Sequence, residues 1–113
     1  MSVELLYFDG CPSYERVLPR LRGLVAEAGI ADEVVSRRIE SPEAAVVERF
    51  LGSPTVRVNG VDVEPGAGER DDFGLKCRLY GTAEGLRGTP PEEWVIRALN
   101  ATRRTDDGER DLA

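Results

Sequence analysis

The sequence predicts an α/β domain with a four-stranded mixed sheet flanked by three helices. A short apolar strand, a long amphipathic helix and a second strand follow one another, and this order favours parallel strand pairing through a right-handed crossover. Two valine-rich runs around Asn59-Gly60 predict a hairpin, which adds an antiparallel pair to the sheet. Further helical patterns before and after the hairpin complete the order strand, helix, strand, helix, hairpin, helix.

The first strand and the first helix meet at a Gly-Cys-Pro sequence. Residues 3–8 are nearly all apolar, as in a strand that is buried on both faces. Gly10 ends this strand, and apolar residues recur at helical spacing from Pro12 onward, with Gly29 as a plausible stop. Pro19 falls inside the helix, where it removes a backbone donor and is expected to bend the axis.

The second strand is predicted at residues 34–39, and a short helix follows. Ser41-Pro42-Glu43 supplies an N-cap, a first-turn proline and an acidic residue in the order that opens a helix. Gly52 is expected to close it. Its inward-facing residues are predicted to be Ala45, Val46, Val47 and Phe50.

The hairpin at residues 54–64 has a register that its Asn-Gly turn determines. One face is expected to be all valine and to cover the core, while the other face is expected to carry an ion pair. The predicted opposite pairs are Val58 with Val61, Val56 with Val63, and Arg57 with Asp62.

The remainder of the chain contains a glycine-rich loop, an extended segment and a last helix. In the segment at 73–80, apolar and polar residues alternate, so that Leu75, Cys77 and Leu79 share one side. Thr89-Pro90-Pro91-Glu92 then opens a helix with a cap, first-turn prolines and a capping-box acid. The buried stripe of that helix is predicted to be Trp94, Val95, Ala98 and Leu99.

Length and charge restrict the organisation and the partners. The 113 residues fit a single domain at 1–102, followed at 103–113 by a polar tail with too little apolar surface to offset the entropy of ordering it. The 15 basic and 21 acidic side chains give a formal charge of -6. This charge works against a phosphate-binding surface, so we expect no nucleic acid partner.

The N-terminal sequence and the two cysteines bear on the cellular compartment of the protein. The N-terminus lacks the pattern of a signal peptide, and no apolar run approaches the roughly 20 residues that span a bilayer, so we expect a cytoplasmic protein without membrane association. Its two cysteines are then expected to be reduced thiols, a transient redox pair or metal ligands. The absence of histidine excludes Ser-His and Cys-His catalytic pairs and any zinc site that uses histidine.

Three features occur in the order found in one large superfamily. An apolar strand runs into Gly10-Cys11-Pro12, a long helix with Pro19 follows, and Ser53-Pro54-Thr55 opens the hairpin. The chain therefore resembles the thioredoxin-like superfamily. The resemblance implies a thioredoxin-like fold with a cis Ser53-Pro54 bond beside Cys11, and it makes residues 66–88 an insertion before the last helix.

A narrower resemblance rests on three motifs. They are Gly10-Cys11-Pro12-Ser13, Cys77-Arg78-Leu79-Tyr80 and Gly88-Thr89-Pro90-Pro91-Glu92-Glu93-Trp94. Together they look like a group of small bacterial thioredoxin-like proteins, some of which are labelled alkylmercury lyase-like. Organomercurial cleavage needs two cysteines and a correctly placed acid, and the nearest carboxylates in sequence, Asp9 and Glu15, do not clearly reproduce such an arrangement.

Cys11 is the main candidate for a functional thiol. A thiol at the start of a helix meets unpaired backbone N–H groups and the positive end of the helix dipole, so its pKa is expected below the free value of about 8.5. The thiolate would serve disulfide exchange, reaction with peroxide or capture of a soft metal. The alternative is a buried cysteine that behaves as a small hydrophobic residue.

Tyr14 occupies the position of the second cysteine in a Cys-x-x-Cys motif, so resolution of a mixed disulfide needs another thiol. Cys77 is the other cysteine of the chain. A bond between Cys11 and Cys77 requires Cα atoms within about 7 Å. The alternative places Cys77 with Leu75 and Leu79 on a buried apolar face.

The supporting residues are expected around the two thiols. Pro12 and Ser13 open the helix, and Tyr14 is expected to pack on its face near Cys11, with a proton-sharing role as the alternative. Lys76 and Arg78 flank Cys77, where they would stabilise a thiolate or an anionic partner such as glutathione, or would only keep the surface soluble.

The leading functional hypothesis is a thioredoxin-like thiol–disulfide oxidoreductase or redox sensor without a cofactor. Attack by Cys11 would produce a mixed disulfide or a sulfenic acid, later resolved by Cys77 or by an external thiol from a protein or glutathione. One alternative is a soft-metal module in which Cys11 and Cys77 bind mercury or copper, or an organomercurial lyase-like protein. Another is a protein-interaction domain without thiol chemistry.

Overall fold

The structure is a computed structural model that describes residues 2–101 of the chain. The predicted polar tail at 103–113 lies outside the described residues. The described part is α/β, with a four-stranded mixed sheet, three helices and a separate two-stranded sheet. The predicted fold class is therefore confirmed at the level of the mixed sheet and its helices. Among the described residues, no helix is both long and apolar enough to cross a membrane.

The main sheet is built around its first strand, in the order β2-β1-β3-β4. Strand β1 (Val3–Tyr7) pairs in parallel with β2 (Val34–Arg38) and antiparallel with β3 (Thr55–Val58). Strand β4 (Val61–Asp62) closes the hairpin with β3. The parallel pairing of the first two strands and the antiparallel hairpin are both as predicted.

Two helices cover one face of this sheet and a third covers the other. Leu5 on β1 packs with apolar residues of α1 (Ser13–Glu27) and of α3, which occupies 92–101. Leu6 points to the opposite face, where it packs with residues of and around α2 (Pro42–Val47). Successive side chains of a strand point to opposite faces, so adjacent leucines of one strand enter two different clusters.

The hairpin has the predicted register. Arg57 lies opposite Asp62, Val58 lies opposite Val61, and the Val63 N–H donates to the Val56 carbonyl oxygen at 3.1 Å. Three of these valines are buried, but Val61 is 68% exposed at the edge of the sheet. The predicted Arg57–Asp62 ion pair is replaced by other contacts. The Arg57 guanidinium donates to backbone carbonyls at 2.5 and 3.1 Å, and the Asp62 carboxylate binds Arg78.

Two residues predicted to face inward from α2 are exposed. Ala45 and Phe50 are fully buried, whereas Val46 and Val47 are 59% and 79% exposed, so that part of the prediction was wrong. At 3.6 residues per turn, three consecutive residues fan over more than half of a helix, so they cannot all face one core. The helix also ends at Val47, before the predicted stop at Gly52.

Residues 66–88, hereafter called the insertion in the sense that the resemblance implies, contain a second, small sheet that was not predicted. Strand β5 (Tyr80–Thr82) pairs antiparallel with β6 (Gly85–Arg87). In residues 77–79, which lead into β5, the alternation is the reverse of the predicted apolar-inside alternative, although Leu75 is half-buried and packs against the cluster of Phe50. Arg78 and Tyr80 are buried, while Cys77 and Leu79 are exposed.

Candidate functional site

Cys11 lies in the turn between β1 and α1, where it is 2% exposed. Its thiol donates to the Ser53 carbonyl oxygen at 3.5 Å. The N-cap of α1 is Pro12, which makes no side-chain capping hydrogen bond. The backbone N–H and the hydroxyl of Ser13, the first residue of α1, lie close enough to the Cys11 sulfur to lower the pKa of Cys11.

The surroundings of Cys11 favour its thiolate. Burial raises the pKa of Cys11, but the polar groups of Cys77, Ser13 and Ser53 near the sulfur together outweigh burial, and the net pKa lies below the ordinary thiol value. This direction agrees with the sequence prediction. The hydrogen bonds at the helix start contribute as expected, and the part played by Cys77 comes from the insertion.

The insertion brings Cys77 to the same place. Ser53 and Cys77 form an isolated parallel β-bridge. In this bridge the Ser53 N–H donates to the Lys76 carbonyl at 2.8 Å, and the Arg78 N–H donates to the Ser53 carbonyl at 2.9 Å. Ser53, whose carbonyl also accepts from the Cys11 thiol, thus brings the two cysteines close enough for each to shift the pKa of the other. Both are free thiols. The two cysteines selected from the sequence are therefore neighbours.

Cys77 differs from Cys11 in exposure and in proton affinity. Its hydrogen bond with Cys11 raises the pKa of Cys77, and partial burial and the charge of Cys11 raise it further. Of the two thiols, Cys11 therefore has the lower pKa.

Gly52 allows the insertion to approach the site this closely. Its φ is +125°, and a Cβ at this position would lie 2.9 Å from the Lys76 carbonyl oxygen and 3.0 Å from the Arg78 Cβ. Both the backbone conformation and the close approach favour glycine. The sequence pattern assigned Gly52 only to the end of a helix, so this role was missed.

The residues after Gly52 form the floor of the site. The Ser53–Pro54 bond is cis, as the resemblance implies, and Ser53, Pro54 and Thr55 are all buried. The Thr55 hydroxyl donates to the Gly52 carbonyl at 2.6 Å, and the Tyr80 hydroxyl donates to the Pro54 carbonyl. The first hydrogen bond stabilises the floor internally, and the second joins the floor to the insertion.

Arg78 has neither of the roles predicted for it, because it is 2% exposed. Its guanidinium donates to the Asp62 carboxylate at 2.7 and 3.0 Å, to the Thr55 hydroxyl at 2.9 Å and to Glu64 at 3.3 Å. It also lies 4.5 Å from the centroid of the Tyr80 ring. Alternate side chains of an extended segment point in opposite directions, so Arg78 faces the hairpin and Cys77 faces outward.

The charge of Arg78 is retained in this position. Burial lowers the pKa of Arg78, but the hydrogen bond with Asp62 and the nearby negative charges outweigh burial and raise it overall. Arg78 is therefore an anchor for the insertion rather than a solubilising residue or a free site for an anion. Lys76, the other basic neighbour of Cys77, pairs with Asp72 at 2.8 Å.

Tyr14 packs on the face of α1. Its ring stacks on Tyr7, with centroids 4.0 Å apart and planes inclined by 16°. Partial burial raises the pKa of Tyr14, and the charges of Glu15 and its other neighbours raise it further, so the phenol keeps its proton at neutral pH. This arrangement favours the packing role over the proton-sharing role.

The donor set for a metal consists of the two thiols. Within residues 2–101, no group of three or more histidine, cysteine, aspartate or glutamate side chains could hold a metal ion. Asp9, an acid near Cys11 in sequence, pairs with Arg38 at 3.0 Å. Cys11 and Cys77 alone would suit only a soft ion with two ligands.

A cavity of about 560 Å³ lies beside the site, between α1 and the residues that lead into α3. Charged side chains of both signs line it, among them Arg16, Arg87 and Glu84, but neither cysteine does. Arg16 donates to the Ser13 hydroxyl at 3.3 Å, so the rim of the cavity is one hydrogen bond away from the first residue of α1.

Comparisons with known proteins do not add to this geometry. No protein-family model, no curated protein and no solved structure matches the chain. The functional conclusions therefore depend on the residues and contacts of the site itself.

Proposed function

We propose that the protein is a thioredoxin-like thiol–disulfide oxidoreductase or redox sensor whose redox couple is formed by Cys11 and Cys77. The position of both cysteines at Ser53 carries this proposal: the Cys11 thiol donates to the Ser53 carbonyl, and Cys77 pairs with Ser53 in a β-bridge. A reversible disulfide needs two thiols that are neighbours in this way. The order of strands and helices, with Cys11 at the first strand-to-helix turn, supports the thioredoxin-like assignment.

The chemistry is a dithiol–disulfide exchange. A thiolate of the protein attacks the disulfide of a partner, which releases one partner thiolate and leaves a mixed disulfide. The second protein thiolate then attacks the protein sulfur of that bond and releases the other partner thiolate. Two electrons pass to the partner, a protein or glutathione, and no cofactor takes part. In a reducing compartment such as the cytoplasm, the pair would rest as two thiols.

The hydrogen bonds around Cys11 favour such a couple. A lower pKa makes the Cys11 thiolate a better leaving group, and a disulfide that contains it is easier to reduce. The same contacts stabilise the reduced protein relative to the disulfide. The pair would therefore act as an oxidant of intermediate strength or as a sensor, rather than as a permanent staple.

A second candidate function uses the same contact. Two neighbouring thiolates are enough for linear coordination of a soft ion such as mercury or copper(I), and this candidate predicts one ion per chain, lost in either single Cys→Ser variant. The organomercurial lyase-like alternative would in addition need an acid placed beside the two sulfurs.

The proposed function is tested by equilibrating the purified protein in glutathione redox buffers, alkylating the remaining thiols and measuring intact mass. We expect both thiols to disappear together in one two-electron transition, at a potential of about -320 to -180 mV. Cys11→Ser and Cys77→Ser are the matched controls, and they should form only glutathione adducts. Independent modification of the two thiols in the wild-type protein would contradict the proposal and favour the metal site.

A further inference from the structure

The two thiols are unequally accessible to a partner. Cys11 is 2% exposed, and the segment that carries Cys77 lies against it. Cys77 is exposed and faces the same side as Leu79, which is 58% exposed. A reagent approaching from solvent therefore meets the Cys77 sulfur first.

The covering segment is held firmly rather than hinged. Two backbone hydrogen bonds join it to Ser53, at 2.8 and 2.9 Å. On its inner side, the buried Arg78 guanidinium binds Asp62 and Thr55 at distances between 2.7 and 3.0 Å. To open the segment would leave the Asp62 carboxylate, which is only 13% exposed, without its cation, and this is unfavourable.

Resting on the proposed function, we infer that Cys77, not Cys11, is the sulfur that exchanges with the external partner. Cys11 is the internal sulfur, which forms and breaks a bond only with Cys77. These roles are the reverse of those that the sequence predicts, in which Cys11 attacks the partner and Cys77 resolves.

Reduction of the protein disulfide then proceeds in two balanced steps. A partner thiolate attacks the Cys77 sulfur, a bond forms between the partner and Cys77, and the electron pair of the broken S–S bond leaves on Cys11. A second partner thiolate attacks the partner sulfur of the mixed disulfide. The products are the partner disulfide and a Cys77 thiolate, which takes a proton from water. Oxidation of the protein by a partner disulfide follows the same steps in reverse.

The pocket around Cys11 suits a leaving thiolate. The N–H and hydroxyl of Ser13 lie close to its sulfur, at the first residue of α1. The buried Ser53 hydroxyl has no hydrogen-bond partner of good geometry among the described residues, and its proximity lowers the pKa of Cys11. It is therefore available to donate to the sulfur when negative charge develops there.

The direct test locates the mixed disulfide in the wild-type chain. The oxidised protein is mixed with glutathione, exchange is stopped with acid after increasing short times, and the adduct is mapped by peptide mass. Extrapolated to zero time, the adduct on Cys77 should exceed that on Cys11 by about 10-fold or more, because access decides which sulfur is attacked. An adduct that forms first on Cys11 would overturn the inference.

Single-cysteine variants provide the second test, with glutathione disulfide as the probe. Cys11→Ser retains the exposed thiol and should react about 10-fold faster than Cys77→Ser, which retains the buried thiol. The opposite order would overturn the inference. Circular dichroism would verify that both variants are folded.

The outcomes distinguish the inference from the proposed function. If no Cys11–Cys77 disulfide forms in the glutathione buffers, the proposed function fails and the inference fails with it. If the disulfide forms and the adduct appears first on Cys11, only the inference fails.

Discussion

The main sheet with its helices and the insertion at 66–88 are stabilised in different ways. On both faces of the sheet, buried apolar side chains form two clusters, which include Leu5 on one face and Phe50 on the other. The insertion is held mainly by two polar side chains, Arg78 and Tyr80, which reach into the hairpin and the floor of the site. The spacing of apolar residues therefore predicts the main sheet and its helices. The position of the insertion instead depends on the pairing of Arg78 with a carboxylate of the hairpin.

The largest expected effect belongs to the apolar region. Phe50→Ala removes a fully buried ring from the cluster below α2 and should lower the free energy of unfolding by about 3–5 kcal/mol. Val47→Ala is the matched control, since Val47 is 79% exposed and its loss should change stability by no more than about 0.5 kcal/mol. Urea unfolding measures both. A large effect of Val47→Ala would mean that α2 turns another face to the sheet.

The insertion should depend most on Arg78. Arg78→Met keeps an unbranched stem but leaves the Asp62 carboxylate without its cation, so we expect a loss of about 3 kcal/mol in urea unfolding. Arg70→Met is the control, because the Arg70 side chain is 31% exposed and its ion pairs are worth less than about 1 kcal/mol. Equal losses in the two variants would contradict the anchoring role of Arg78.

Gly52 connects the two regions and should show a smaller effect. Gly52→Ala combines a strained φ of +125° with a Cβ placed 2.9 Å from the Lys76 carbonyl, at a cost of about 2 kcal/mol. Gly66→Ala has a φ of +82° and open space around the new Cβ, so it should cost only about 1 kcal/mol. Gly52→Ala alone should also slow formation of the Cys11–Cys77 disulfide. Equal rates in both variants would show that the close approach is not needed.

Tyr80→Phe should have the smallest effect at neutral pH. It removes the hydrogen bond to the Pro54 carbonyl and should cost about 1 kcal/mol in urea unfolding. The ring and its edge contact with Trp94, at a centroid distance of 6.0 Å, are retained. A loss as large as that of Arg78→Met would mean that this hydroxyl holds the insertion as strongly as the guanidinium does.

At alkaline pH, the burial of Tyr80 in the insertion should also make stability depend on pH. Burial raises the pKa of Tyr80, with Arg78 opposing and Asp62 and Glu64 reinforcing the shift. Below the unfolded-state pKa of about 10, this contribution to stability is fully present. As pH rises above that value, the unfolded phenol ionises and the folded one does not, so stability falls. Tyr80→Phe should lose this part of the alkaline dependence, and an unchanged pH profile would contradict it.

The sequence was most informative about the sheet. Asn59-Gly60 determined the hairpin register, and the apolar stripe of the last helix predicted the buried Val95 and Leu99. The wrong prediction of an Arg57–Asp62 ion pair and the wrong buried side of the segment at 73–80 share one cause. An alternating pattern indicates an extended segment but not which side is buried, and the acidic pair Asp62 and Glu64 decided that side by requiring a cation.

The site was predicted in part. Cys11 at the helix start follows from local sequence, and Cys77 follows from the lack of any other thiol. The bridge that joins Cys77 to Ser53 could not be predicted, because it pairs segments that are distant in sequence. It also depends on Gly52, which the sequence pattern assigns only to the end of a helix. The short second sheet was missed for a similar reason, since its strands have only three residues each.

The account depends above all on the contact between Cys11 and Cys77. The most direct test is mild oxidation of the dilute wild-type protein, followed by intact mass and peptide mapping without reduction. The predicted result is a monomer that has lost two hydrogens and in which the peptide with Cys11 is linked to the peptide with Cys77. Disulfide-linked dimers, or separate adducts on the two cysteines without a linked peptide, would contradict the account.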